Sequence, residues 1–259
     1  MRTYEEYRSI LEQWELGCHK KTISRASGIP RATVRDCIDR FRDIQGLDAH
    51  WRQASPDGVL NRVLDSHNMV ARTAYAYLLG LYLGDGEISR NRKIFRLRVA
   101  LDKKYPGIIQ SCRTAIQTLL PDNHIGIVDR PGCVYVSCYH RAWPQIFPQA
   151  GAGRKHQREI KLERWQQQIV DAYPLEFWCG LYHSDGSRFR NVVHGKDYPR
   201  YSFTNQSEDI CKLFCDTCDR LGIHWTIKRR NTLRDHAIDI FISKRPDLAY
   251  LDGVVGPKT

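Results

Sequence analysis

Two stretches of this 259-residue chain decide its architecture: Leu79-Gly80-Leu81-Tyr82-Leu83-Gly84-Asp85-Gly86 and Cys179-Gly180-Leu181-Tyr182-His183-Ser184-Asp185-Gly186. Gly, Leu and Tyr recur in the same order, each stretch ends in Asp-Gly, and the spacing between them is constant at one hundred residues. Both lie at the end of an apolar, helix-length segment, Ala74 to Gly86 and Leu175 to Gly186. Small residues four apart, Gly80 with Gly84 and Gly180 with Ser184, fall on one face of a helix and let two backbones approach closely. One such helix per repeat predicts a helix pair packed through Gly80, Gly84, Gly180 and Ser184, its carboxyl ends converging on Asp85 and Asp185. The glycine after each acid is expected to take the positive φ that stops a helix.

The segments downstream of the two helices also correspond. Lys93 to Leu101 alternates Phe95, Leu97, Val99 and Leu101 against Ile94, Arg96 and Arg98, a half-buried strand with a basic outer face. A helix over Tyr105 to Leu120 and strands at Ile125–Asp129 and Val134–Tyr139 follow. In the second repeat the pattern predicts a strand over Tyr201 to Gln206, a helix over Ser207 to Leu221 capped by Ser207, and strands at His224–Arg230 and Ala237–Ser243. Each repeat is helix, strands, helix, strands, so the core is an α+β unit repeated in tandem.

Two carboxylates at helix C-termini are electrostatically awkward, because that end of the macrodipole is already negative and the charges repel each other. A hard divalent cation held by oxygen is the natural remedy, and it needs only one or two protein carboxylates plus phosphate. Paired acids beside basic sheets point to metal-assisted phosphodiester hydrolysis.

The bulk composition agrees. Lysine and arginine exceed aspartate and glutamate to give a formal charge of +11, which favours a polyanionic partner through counterion release. The apolar share, 42%, is that of an ordinary folded domain, and no run is long enough to span a bilayer. Without a charged-then-apolar leader, the chain reads as a soluble cytoplasmic protein with no membrane role. Nine scattered cysteines argue against a disulfide framework, and the Cys215-x-x-Cys218 pair has no second pair to complete a zinc site.

The paired stretches resemble the LAGLIDADG motif, and the resemblance covers about Arg72 to Thr259. It implies two pseudo-symmetric αββαββα halves joined through the motif helices, with concave antiparallel sheets over double-stranded DNA. It implies Mg²⁺, or Mn²⁺, held at Asp85 and Asp185 with Gly84 and Ser184 beside them. It also implies a lysine in each half near the scissile phosphates, carried onto Lys155 in Gly153-Arg-Lys-His156 and Lys258 in Gly256-Pro-Lys-Thr259. The second motif departs from the consensus at His183 and Ser184.

The DNA-facing basic set is expected to be Arg90, Arg92, Lys93, Arg96 and Arg98 in the first half, and Arg188, Arg190, Lys196 and Arg200 in the second. His224, Thr226, Lys228 and Arg230 are expected to share one strand face as base or phosphate readers.

Ahead of the repeats, Tyr4 to Glu15 is amphipathic, and Lys20 to Phe41 reads as helix, glycine turn, helix. Ala26, Gly28, Val34 and Ile38 fall at the spacing of a tight helix crossing. This resembles the helix-turn-helix of bacterial regulators and transposases, which would offer Arg31, Thr33 and Arg35 to the major groove. The resulting division is a helix-turn-helix at 1–46, a polar linker at 47–70, and repeats at 71–165 and 166–259.

A site-specific, homing-type DNA endonuclease, acting as a monomer, is the expected function. The alternative is a transcriptional regulator that uses the same core only to bind DNA. Retention of both acids favours the nuclease. An intein is not expected, because the splicing nucleophile and the His-Asn pair are missing from the two ends.

Overall fold

The computed structural model describes residues 2–230, 236–255 and 258. It divides into two compact units, Met1–Val59 and Leu60–Thr259. No helix among the described residues is long and apolar enough to cross a membrane.

The first unit is helical: α1 (Tyr4–Glu15), α2 (Lys20–Ser27), α3 (Arg31–Phe41), α4 (Ile44–Ala54) and the start of α5 (Pro56–Leu64). Thr3 and Glu6 form a reciprocal capping box at the start of α1, and Asp43 caps α4 through the Gly46 N–H. Ile10, Leu11, Ile23, Ile29, Val34 and Ile38 build its core. Gly28 ends α2 in the left-handed conformation, φ 68°, and Pro30 precedes the first turn of α3. Two sequence expectations change here. Ala26 is exposed, and Ile23 fills the crossing in its place. The stretch expected to be a polar linker is mostly helix, with Leu47 of α4 and Val59 and Val63, four apart on α5, fully buried.

The second unit opens with α6 (Met69–Asp85), then β1 (Gly86–Asn91), β2 (Ile94–Asp102), α7 (Pro106–Leu119), β3 (Ile125–Arg130), β4 (Cys133–His140), the one-turn α8 (Trp143–Ile146) and α9 (Arg164–Ala172). The second half repeats the order with α10 (Pro174–Asp185), β5 (Gly186–Phe189), β6 (Val192–Val193), β7 (Lys196–Asp197), β8 (Arg200–Asn205), α11 (Glu208–Arg220), β9 (Thr226–Arg229), β10 (Ile238–Ile242) and α12 (Arg245–Val254). The two four-stranded sheets are antiparallel with the same topology, β1-β2-β4-β3 and β5-β8-β10-β9. The second half alone inserts a small β6–β7 ribbon between its first two sheet strands.

α6 and α10 are apolar on nearly every face, as helices at the centre of a core must be. Trp143, Phe147, Tyr75 and Tyr82 stack on one side of this pair, and Trp178, Tyr182, Tyr201 and Phe214 on the other. A buried polar chain crosses the first half: Gln166 donates to Tyr75 Oη at 2.7 Å, and Tyr75 Oη donates to the Ile146 carbonyl at 2.6 Å. The strands starting at Gly86 and Gly186 directly follow the motif helices, a placement the sequence pattern did not predict.

A candidate nuclease centre at the ends of two helices

Helices α6 and α10 meet through Gly80 and Gly180. A Cβ on Gly80 would stand 2.5 Å from the Phe177 carbonyl oxygen and 2.6 Å from the Leu181 nitrogen. No side chain fits there, so backbone touches backbone, as the spacing of the small residues predicts. At the carboxyl end Gly84 faces Ser184, and a Cβ on Gly84 would stand 2.7 Å from Asp185 Oδ2. The absence of a side chain at Gly84 is what lets the Asp185 carboxylate lie across the partner helix.

Gly86 and Gly186 are glycines for a different reason from the one expected. Their φ values are −89° and −92°, in the extended region. A Cβ on Gly86 would come within 2.5 Å of Tyr82 Cα, and one on Gly186 within 2.5 Å of the Tyr182 carbonyl oxygen. The chain must turn straight from helix into strand over the preceding tyrosine, and that close approach excludes a side chain.

Each acid sits in its own pocket. Asp185 lines a cavity of about 540 Å³ with Gly84, Lys155 and Asn205. Asp85 lines one of about 200 Å³ with Leu101, Asp102, Ser184 and Lys258. Burial, followed by repulsion from Asp185, raises the Asp85 carboxyl to about 7. Burial also raises Asp185, opposed by a hydrogen bond from Asn205 and by Lys155 and Lys258. Burial lowers both lysines to about 8, against the pull of the two carboxylates.

The lysines take matching positions. Lys155 Nζ donates to the Gly86 carbonyl at 2.7 Å, to the Gly84 carbonyl at 3.3 Å and to the Tyr82 carbonyl, and lies 4.7 Å from the Tyr82 ring. Lys258 Nζ donates to the His183 carbonyl at 3.0 Å and the Ser184 carbonyl at 3.5 Å, 5.1 Å from the Tyr182 ring. Each ammonium thus caps the carboxyl end of one motif helix, where the macrodipole welcomes a cation. Gly84 and Ser184, expected beside a metal, have carbonyls directed at these ammonium groups.

Sequence reading missed Asn205. Its Nδ2 donates to Asp185 Oδ2 at 2.8 Å, and its Oδ1 accepts from the Ser207 N–H at 2.7 Å. The position falls at the end of β8, in phase with buried Tyr201 and Phe203, a polar residue where alternation calls for an inward side chain, and that was the available signal. His183 is also engaged, its Nδ1 2.9 Å from Tyr77 Oη across the helix pair.

The expected nucleic-acid residues divide by strand register. In the first sheet Arg96 and Arg98 point away from the helices, over the rings of Tyr139 and Tyr135. Arg98 also pairs with Glu87. Arg92 and Lys93 form the exposed β1–β2 turn, while Arg90 pairs with Phe95 on the opposite side of the ladder. In the second sheet Arg200, Thr226 and Lys228 share the outward face. Arg230 reaches that face beside Asp239, which it grips through two hydrogen bonds of 2.7 Å.

Two expected readers lie elsewhere. Arg188 pairs in register with buried Tyr201 and forms a two-bond ion pair with Asp252 of α12, on the helical side of the sheet. His224 precedes the strand, and both its backbone N–H and its Nδ1 face Asp247. Lys196 belongs to the inserted ribbon, and Arg190, just ahead of it, pairs with Asp197 at 2.6 Å. In the first unit Arg31 and Arg35 are exposed on α3, and Thr33 is half-buried.

No family model matches the sequence, and no curated protein sequence does. Solved structures match in fold. The homing endonuclease I-DmoI in complex with DNA and Mn is 16% identical over 73% of this chain and 99% of that one, with a TM-score of 0.52. Mesophilic variants of I-DmoI are 15% identical over 71% and 96% of the two chains, at a TM-score of 0.50. The N-terminal LAGLIDADG domain of DUF199/WhiA is 11% identical over 78% and 91%, at 0.45. With its paired motif helices and two matching sheets, the chain has the LAGLIDADG homing-endonuclease fold.

Proposed function

We propose that the chain is a site-specific endonuclease of double-stranded DNA, acting as a monomer whose two halves address the two strands. One observation carries the reading: two half-buried aspartates end two symmetry-related helices, and the pocket of each also holds one half-buried lysine. A pure binding protein has no need to bury like charges at an energetic cost.

The donor set fits Mg²⁺ or Mn²⁺. Among the described residues no group of three His, Cys, Asp or Glu side chains gathers, so the protein offers two carboxylates and nearby carbonyls. Hard cations of this kind take oxygen ligands and complete their shell with water and phosphate. Bound there, such a cation would supply Lewis-acid charge and a more acidic water. Asp85 and Asp185 would hold it, and its charge would offset the burial and the repulsion that raise Asp85. Lys155 and Lys258 would stabilise the negative charge that grows on the phosphate oxygens. The outward faces carrying Arg96, Arg98, Arg200 and Lys228 would bind the duplex through its phosphates and base edges. The first unit would add a second DNA contact through α3, with Arg31 and Arg35 exposed.

The test is Mg²⁺-dependent cleavage of sites selected from a random or genomic DNA library. Wild type should cut, and Asp85→Asn and Asp185→Asn should bind the same site without cutting. Specific binding with no cutting in Mg²⁺ or Mn²⁺ would leave a DNA-binding regulator in its place.

A further inference from the structure

The two halves share topology and lysine placement, yet the pockets around their acids differ at one register position. Gly86 pairs with Val99 and Gly186 with Phe203, so two residues further along each strand Leu101 corresponds to Asn205. At Asp185 that position donates a hydrogen bond of 2.8 Å, and the Ser207 N–H pins the amide so that its nitrogen faces the acid. At Asp85 the position is a buried leucine, and among the described residues no side chain donates to Asp85. The pockets differ in size as well, about 540 Å³ against about 200 Å³.

We propose that Asn205 is a positioning residue that makes the pocket of Asp185 the faster of the two, so that the DNA strand whose phosphate enters it is nicked first. The inference rests on the endonuclease reading. A carboxylate held by a fixed donor keeps one rotamer and one oxygen directed at the reacting centre, whereas Asp85 must be ordered by the substrate and its ions. Pre-ordering of this kind lowers a barrier by removing reorganisation from the reacting step. The hydrolysis in each pocket is the same. Water oxygen bonds to phosphorus, the bond from phosphorus to one bridging ester oxygen breaks, the water releases a proton to solvent, and the departing oxygen takes one up.

The experiment labels the two strands of a selected site with different dyes and follows each cut in Mg²⁺ under single-turnover conditions. Wild type should cut one strand at least about fivefold faster, with a nicked intermediate. Asn205→Leu, which copies the first half, should slow that strand and shrink the ratio towards one. Leu101→Asn should speed the slower strand. Manganese titration of the DNA-bound protein, followed calorimetrically, should show weaker binding of one ion class in Asn205→Leu, with an unchanged DNA Kd. Equal wild-type strand rates overturn the inference and leave the endonuclease standing, whereas no cutting at all overturns the endonuclease reading itself. A strand ratio unchanged in Asn205→Leu, or a slower strand unmoved by Leu101→Asn in folded protein, also overturns it.

Discussion

A side-chain carbon placed on Gly180 would lie 3.0 Å from Gly80 Cα and the same distance from the Leu81 nitrogen. The core of the second unit is thus seamed by a contact of backbone with backbone, and the acids at its end inherit their separation from it. Alanine at position 180 must push α6 and α10 apart, because a main chain cannot turn aside as a flexible side chain does. Gly180→Ala should cost about 2–4 kcal/mol in urea unfolding, at or above the upper range for overpacking. A loss under about 0.5 kcal/mol would mean that the helices are not held this tightly.

Burial and the neighbouring Asp185 raise Asp85 to about 7 in the folded chain, from near 3.9 when unfolded. An acid with a raised folded value binds more protons folded than unfolded between those limits. Stability of the metal-free protein therefore falls as pH rises from about 4 to about 7. Asp85→Asn removes the ionisation and should flatten that slope. In EDTA at pH 7.5 the variant should be more stable by on the order of 1–3 kcal/mol, the lost attraction to Lys155 and Lys258 offsetting part of the gain. Target DNA should stabilise both proteins, because both bind it, whereas added Mg²⁺ should stabilise wild type more than the variant. Equal thermal midpoints in EDTA across pH 4–8 would refute the raised Asp85 carboxyl.

Lys155→Met and Lys258→Met keep much of the buried stem and remove the ammonium. Each should lower the rate of cutting of at least one strand by about 10²–10³, the scale of losing one electrostatic stabiliser in a transition state. Binding of the uncut site in Ca²⁺ should change by less than threefold. Loss of binding together with cleavage would assign these lysines to helix capping alone.

Strand register separates readers from bystanders among the basic residues. Lys228 and Arg96 stand on the outward faces, while Arg188 is tied to Asp252 and Tyr201 on the helical side. Lys228→Ala should weaken DNA binding and reduce the magnitude of the slope of log K against log salt by about 0.9 if it meets a phosphate. Arg188→Ala should leave that slope intact and cost no more than about 1 kcal/mol of stability, as partly exposed pairs do. If Arg188→Ala weakens binding as much as Lys228→Ala, the assignment of faces is wrong.

The motif helices, the downstream strands and both acids were legible because each leaves a one-dimensional trace: four-residue spacing of small residues, alternation, and duplication. Asn205 leaves only a polar residue at an inward strand position, which does not reveal its role, since that role depends on a partner twenty residues back, reached only after the chain turns into the sheet. Arg188 was misread because its strand, Gly186–Phe189, is only four residues long, too short for alternation to show which face an arginine takes. The α4–α5 stretch was misread because Ser55-Pro-Asp-Gly58 resembles a turn, yet it forms the junction of two helices whose apolar residues are widely spaced. The positive φ expected at Gly86 was wrong because a glycine after a helix serves close approach as readily as a left-handed turn.

The first unit carries exposed Arg31 and Arg35 on α3 over a core in which Val34 and Ile38 are buried, so the two arginines lie on the side of the helix away from that core. If α3 enters a major groove, Arg31→Ala with Arg35→Ala should weaken binding to a long duplex by about 10- to 100-fold, from two lost phosphate or base contacts worth together about 1.4–2.7 kcal/mol. The same double variant should bind a short duplex, trimmed to the segment that the Leu60–Thr259 unit protects from nuclease digestion, as tightly as wild type does. Cleavage rates on the short duplex should match as well, because both acids and both lysines are untouched. A double variant that binds long and short duplexes with wild-type affinity would remove the first unit from DNA recognition and leave it an unassigned helical module.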